Sequence, residues 1–215
     1  MRSSQGAALA LVLLGAGPAG ALPLLSEVFY DAVGTDDGQS FVELYGAPGT
    51  SLDGLVIEGV NGADGSITPT LVLTGTIGPD GLFVVADRTS AGTTLMTDAD
   101  LLLDFDFQNG PDSVVLRGAS GVLDALGYGA FLAGEINAGE GNPTVDPPAG
   151  QSLAREFANV DTDDNASDFL AGAPTPGSAP LALPEPASAG LLGLGLLGLA
   201  RLGRRPGVPG PRSRA

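Results

Sequence analysis

The chain has 215 residues, with 25 acidic side chains against nine basic ones and a formal net charge of −16. It contains no cysteine, histidine or tryptophan, and every basic side chain is an arginine. Disulfides, thiol chemistry, His/Cys zinc sites, histidine-based triads, lysine Schiff bases and Ser–Lys dyads are therefore excluded.

The first 21 residues have the order of a secretory signal peptide. Arg2 gives a positive start, Ala7 to Gly17 is apolar, and Ala19-Gly20-Ala21 is a small-x-small cleavage site with Ala19 and Ala21 as its determinants. An ordinary N-terminal helix fits less well, because the run is short, glycine-containing and followed by Pro18. No twin arginine is present, so the general secretory route is expected, with the mature chain beginning near Leu22. With both ends removed about 160 residues remain, enough for one domain with a core of its own. Between Leu22 and Leu183, 24 carboxylates face three arginines, Arg88, Arg117 and Arg155, leaving a net charge of −21. Such a body repels nucleic acid and anionic lipid and attracts divalent cations or basic partners.

In chain order, Leu24–Tyr30 and Ser40–Tyr45 have strand composition, separated by an Asp/Gly turn. Alternation places Phe41, Glu43 and Tyr45 on one face and Val42 and Leu44 on the other. Leu55–Glu58, Leu71–Leu73 and Gly81–Ala86 are further strands, the last apolar enough for burial on both faces. Thr97–Leu103 is expected to be irregular or helical. Ser113–Arg117 and Val122–Leu126 predict a hairpin around Ala119-Ser120-Gly121. Gly134–Gly150 is a long loop, Gln151–Glu156 a last strand, and the Pro/Ala/Gly-rich stretch after Ala171, above all 178–183, a linker. Short strands with Gly/Pro turns and no long amphipathic helix point to an all-β fold, a β-sandwich, with a β-helix as second choice.

The candidate sites are acidic. Asp161, Asp163, Asp164 and Asn165 set oxygens at alternate positions as a Ca²⁺ loop does, although Ala166 stands where an EF-hand needs glycine and no Glu closes the loop. Asp31, Asp36, Asp37 and Glu43 form a second Ca²⁺ candidate set. The plainer reading makes all of these turn and surface carboxylates, since Asp is favoured in turns for backbone reasons. Asn165-Ala166-Ser167 matches a glycosylation sequon by coincidence. Paired carboxylates leave a secreted carboxylate-dependent hydrolase as an alternative, but few aromatics are present to stack a sugar.

The C-terminal region reads as a delivery segment. Pro184-Glu185-Pro186 precedes a charge-free Leu/Gly run, Ala187–Ala200, which ends at Arg201, Arg204 and Arg205. As a helix, 187–200 would rise about 21 Å, short of a ~30 Å hydrocarbon core. A core helix would show a polar face, and this run has none; the arginines after it fit a cytoplasmic C-terminus. Residues 206–215 form a basic tail. The G-x-G-x-x-G at Gly193–Gly198 lies inside the apolar run and lacks the strand–turn–helix setting of a dinucleotide site.

Pro184-Glu185-Pro186, the short helix and the arginine cluster together resemble the PEP-CTERM sorting signal, over 184–205. That resemblance implies an exosortase as processing partner, transient residence in the inner membrane, and release or attachment at the cell surface or in the extracellular matrix, often with exopolysaccharide. The trailer Pro206–Ala215 is longer than this family usually carries. A second resemblance spans about residues 24–177, within an expected domain of 22–177. Ser26-Glu27-Val28-Phe29-Tyr30-Asp31, Asp36-Asp37-Gly38, Phe41–Tyr45, Asn109–Val114, Asp124–Tyr128, Gln151–Arg155, Asp161–Asn165 and Pro174–Gly177 resemble bacterial lamin-tail domains. This implies an immunoglobulin-like β-sandwich acting as a binding or scaffolding module; Val56 stands where that family often has Trp. The expected protein is an exported, non-enzymatic surface or matrix module with exopolysaccharide or surface proteins as partners and no nucleic acid. A permanently membrane-anchored adhesion module is the other alternative.

Overall fold

The computed structural model describes residues 22–183. The signal peptide with Ala19 and Ala21, the segment with Pro184, Glu185 and Pro186, the helix expected over 187–200, Arg201, Arg204, Arg205 and the basic tail lie outside the described residues. No helix among the described residues is long and apolar enough to cross a membrane. The fold below is that of residues 22–182, which fall in one unit of the chain.

Ten strands and one helical turn follow in order: β1 (Leu24–Phe29), β2 (Phe41–Tyr45), β3 (Val56–Asn61), β4 (Ile67–Val72), β5 (Leu82–Asp87), β6 (Leu101–Leu103), β7 (Asp112–Gly118), β8 (Gly121–Tyr128), β9 (Ser152–Arg155), α1 (Asn165–Asp168) and β10 (Phe169–Gly172). They form a six-stranded sheet, β10-β9-β1-β2-β5-β6, and a four-stranded sheet, β4-β3-β7-β8. Between these strands every pairing is antiparallel except β5 with β6, which rules out the parallel coils of a β-helix.

The sheets face each other across one core. Leu25, Val42, Leu44 and Val85 come from the larger sheet and Ile57, Val114, Leu116 and Leu126 from the smaller, all with no exposed surface. Each such side chain stabilises the fold by about 1.5–3 kcal/mol relative to leaving it in water. Period-two alternation explains the arrangement: Val42 and Leu44 point inward, Phe41 and Glu43 outward. The outward face is not solvated, because Met96, Ala99 and Leu102 cover Phe29, Phe41, Val84 and Ala86. β5 is thus buried on both faces, as its uninterrupted apolar run predicts. The β7–β8 hairpin turns at Ala119-Ser120, with Gly118 opposite Gly121.

Two segments differ from expectation. Leu101–Leu103, expected within an irregular or helical piece, runs parallel to β5. Three leucines are too few for a helix, and Asp100 sets the register: its N–H donates to the Val84 carbonyl at 2.9 Å and its carboxylate accepts the Val84 N–H at 2.8 Å. The Pro/Ala/Gly stretch from Ala171, expected as a linker, is not free. Phe169–Gly172 pairs with β9 along its whole length, and residues 173–182 remain bonded to the domain.

The 134–150 loop lies along β8. The Thr144 N–H donates to the Gly127 carbonyl at 2.9 Å and the Gly129 N–H to the Thr144 carbonyl at 3.0 Å. This approach requires glycine on both sides, since a Cβ on Gly139 would stand 2.1 Å from the Gly127 nitrogen. At the other rim of the same sheet β4 carries Pro69, which has no N–H to offer.

Candidate functional site

The acidic loop after β9 is organised by one arginine. Arg155 is 2% exposed and reaches from the larger sheet to Asp124 on β8 of the smaller. Its Nη2 donates to Asp124 Oδ1 at 2.8 Å, and its Nη1 to Asp168 Oδ2 at 2.8 Å, the Val160 carbonyl at 3.2 Å and Asp161 Oδ1 at 3.4 Å. Nε donates to the Leu25 carbonyl at 2.8 Å, and the guanidinium lies over the Phe169 ring, 4.6 Å from its centroid. β1 shifts register between Leu25 and Glu27, and beside this bulge the Leu25 N–H donates to Asp124 Oδ2 at 2.6 Å. A buried charge must be paired and hydrogen-bonded to be tolerated, and Arg155 and Asp124 both meet that condition.

Glu140, from the long loop, adds a third carboxyl group. Among the described residues, one trio, Asp124, Glu140 and Asp161, brings its carboxylate oxygens within 4.8 Å of one another. Glu140 Oε2 is buried without a hydrogen-bond partner. Burial, and then the charges of Asp124 and Asp161, push the Glu140 carboxyl up to about 8. Burial also raises Asp124, against the pull of Arg155. Burial and its acidic neighbours thus favour the protonated form of Glu140, and the cluster is an inter-sheet lock whose guanidinium already stands among the carboxylates that a cation would use.

Of the first candidate set, only Asp161 belongs to this trio. Asp163 sits at φ +55° in a turn, its N–H donating to Asp161 Oδ1 at 3.1 Å. Asp164 caps α1: Oδ1 accepts the Ala166 N–H at 3.1 Å, while Oδ2 accepts from Asn142 Nδ2 at 2.8 Å. Asn165 is fully buried. Its Oδ1 accepts the Gly127 and Glu140 N–H groups and its Nδ2 donates to the Ala125 carbonyl, each at 2.8 Å. Both lone pairs of that oxygen are occupied, so it has none for a cation, and the buried amide is closed to glycosylation in the folded chain. Asn165→Ala is expected to lower stability by about 3 kcal/mol in chemical denaturation, because three buried backbone groups lose their partner.

The second set also separates. Asp36 and Asp37 line an acidic hollow of about 470 Å³ with Asp87, Asp104, Asp106 and Phe105. Asp87 is structural there, its two oxygens accepting the Gly38 and Phe105 N–H groups at 2.6 and 3.0 Å. Burial, then Asp36 and Asp87, raise Asp106. Asp104 and Asp106 were not among the candidates, yet Asp104-Phe105-Asp106-Phe107 alternates, and the structure buries both aromatics and exposes both carboxylates. Asp31 does not line this hollow; its carbonyl accepts the Gly150 N–H at 2.7 Å. Glu43 lies elsewhere, fully buried opposite Glu27 on β1. Glu43 Oε1 accepts the Ser26 hydroxyl at 2.6 Å and Oε2 the Gly177 N–H at 2.7 Å. Burial first, with Glu27 and Asp80 adding to it, lifts the Glu43 carboxyl to about 7.

Comparison with known protein families, with curated proteins and with solved structures returns no match. What this chain binds has to be argued from its own chemistry.

Proposed function

We propose that the chain is an exported, non-catalytic β-sandwich, immunoglobulin-like in the manner of lamin-tail domains, delivered by exosortase sorting to the cell surface or matrix. Its role there is adhesive or structural, beside exopolysaccharide or other surface proteins. The observation that supports this most is the order of segments in the chain. Hydrogen-bonded structure runs to Ala182, and Pro184-Glu185-Pro186, the apolar run and the arginine cluster follow at once.

Two further features support the reading. The two sheets share one core, as an immunoglobulin-like sandwich requires. Without His, Cys or Lys, the side chains that most often supply nucleophiles and bases near neutral pH are missing. Intact mass spectrometry of the protein recovered from the cell surface tests the proposal. The expected mass lacks both the first 21 residues and the arginine-bearing end. A surface-exposed form that keeps Arg201 to Ala215 would replace this reading with permanent anchoring.

A further inference from the structure

Two asparagines, Asn61 and Asn109, stand directly before glycine. Such a pair carries a reaction of its own. With no Cβ on the second residue to block the approach, its backbone nitrogen can attack the asparagine Cγ. The new N–Cγ bond closes a five-membered imide, the Cγ–Nδ2 bond breaks, and ammonia leaves with the glycine N–H proton. Water then opens the imide at either carbonyl. The products are aspartate and isoaspartate, the second with its main chain rerouted through Cγ. The reaction needs a free glycine N–H, an asparagine side chain able to turn, and water.

The fold separates the two pairs. Gly62 is buried, and its N–H donates to Asp112 Oδ1 at 2.7 Å. A Cβ there would stand 2.1 Å from the Pro111 carbonyl oxygen, so main chain closes over it. Asn61 is held as well. Its Oδ1 accepts the Ala63 N–H at 2.8 Å, its own N–H donates to the Ser66 carbonyl at 2.9 Å, and its carbonyl accepts the Gly65 N–H at 2.7 Å.

Asn109 is the opposite case. It is exposed, in the bend that precedes β7. Among the described residues neither its side-chain amide nor the Gly110 N–H has a hydrogen-bond partner. The bend itself is pinned on one side, where the Gln108 carbonyl accepts the Tyr128 hydroxyl at 2.8 Å. Glycine is needed at 110 for packing, since a Cβ would press on the Tyr128 ring at 3.0 Å.

The other asparagines are closed to this route. Asn142 precedes Pro143, which has no N–H. Asn165 is buried with its amide fully bonded, and the Asn159 amide is bonded on both sides to Ala182. Asn137 precedes alanine, and its Oδ1 accepts the Gly139 N–H at 2.9 Å.

We infer that Asn109 is a site of spontaneous deamidation and that the fold protects Asn61 from the same reaction. The product sets a new carboxylate beside Asp112 and Glu135, which line one small hollow with Asn109. Each chain thus becomes more acidic with age at a single place. Asn61 reacts only when its turn opens transiently. Breaking a buried hydrogen bond of this kind lowers the reactive population by roughly tenfold to a hundredfold.

The purified full chain, kept in mild detergent at pH 8, tests this. Arg88 and Arg117 flank Asn109, so trypsin puts the two asparagines on different peptides. Mass spectrometry then follows the change from amide to acid in each. The same incubation in urea strong enough to unfold the domain gives the ratio of rates that sequence alone sets. The native ratio of Asn109 to Asn61 is expected to exceed the urea ratio by at least about tenfold. Equal ratios in the two conditions, or faster reaction at Asn61 in the native chain, overturn the inference. Asn109→Ser is expected to abolish the slow acidic drift of the intact protein on anion exchange. A drift that persists at the wild-type rate also overturns the assignment to Asn109.

Discussion

Arg155→Met is expected to lower the folding free energy by about 3–5 kcal/mol, the usual result of stripping one partner from a buried ion pair. Arg155 and Asp124 have no exposed side-chain surface, and Asp168 is nearly as buried at 3%. Removing the guanidinium leaves the buried Asp124 carboxyl without its counter-charge, beside the Leu25 N–H and the Glu140 carboxyl. It also takes a donor from Asp168 and from the carbonyls of Leu25 and Val160. A marginal domain stabilised by 5–15 kcal/mol would lose a large share of its margin. Urea denaturation of both proteins measures the difference. The double variant Arg155→Met, Asp124→Leu is expected to recover part of the loss, because no unpaired charge is then left at that position. A single variant within 1 kcal/mol of wild type would show that the lock does not hold the sheets together.

The melting temperature should fall as pH rises from 5 to 8.5, the reverse of a protein stabilised by ionised carboxylates. Glu43 and Glu140 carry folded values of about 7 and about 8, against ordinary values near 4.3 in the unfolded chain. Over that interval the folded state keeps protons that the unfolded state releases, so stability declines with pH. Glu43, fully buried, contributes up to about 1.4 kcal/mol per pH unit while it alone is protonated. Glu140 acts in the same direction up to about pH 8. The excess of carboxylates over arginines adds to the trend, since each proton retained relieves self-repulsion. For a domain of this size 1 kcal/mol is roughly 2–4 °C, so scanning calorimetry should show a difference of several degrees. A melting temperature that climbs with pH over this range would contradict the protonation of these two groups.

The strands were legible because period-two patterning is a local property. Val42 and Leu44 against Phe41 and Glu43, or the unbroken Leu82–Ala86, state their faces without reference to the rest of the chain. β10 was not legible: Phe169–Gly172 precedes a Pro/Ala/Gly stretch, and only its pairing with β9 distinguishes it from linker. The acidic residues were legible as turn formers but not as to partner. Asn165 fits a calcium-like spacing, yet its amide is taken up by backbone groups 25 to 40 residues away. Arg155 was legible as one of three arginines in an acidic domain, but not as to its partners. Which carboxylates surround it depends on the β1 bulge and on the crossing of the 134–150 loop, neither of which has a local pattern.

The rims of the smaller sheet have a consequence for how copies of this domain meet one another. An unpaired strand edge is a template on which foreign chains add. Along β8 the glycine-lined crossing of the long loop occupies part of that template, and on β4 a proline interrupts the row of donors. Copies of such a domain would find few places along the smaller sheet to stitch their backbones together. At those two rims, contact with a neighbour is left to side chains and charge, which salt and pH can reverse.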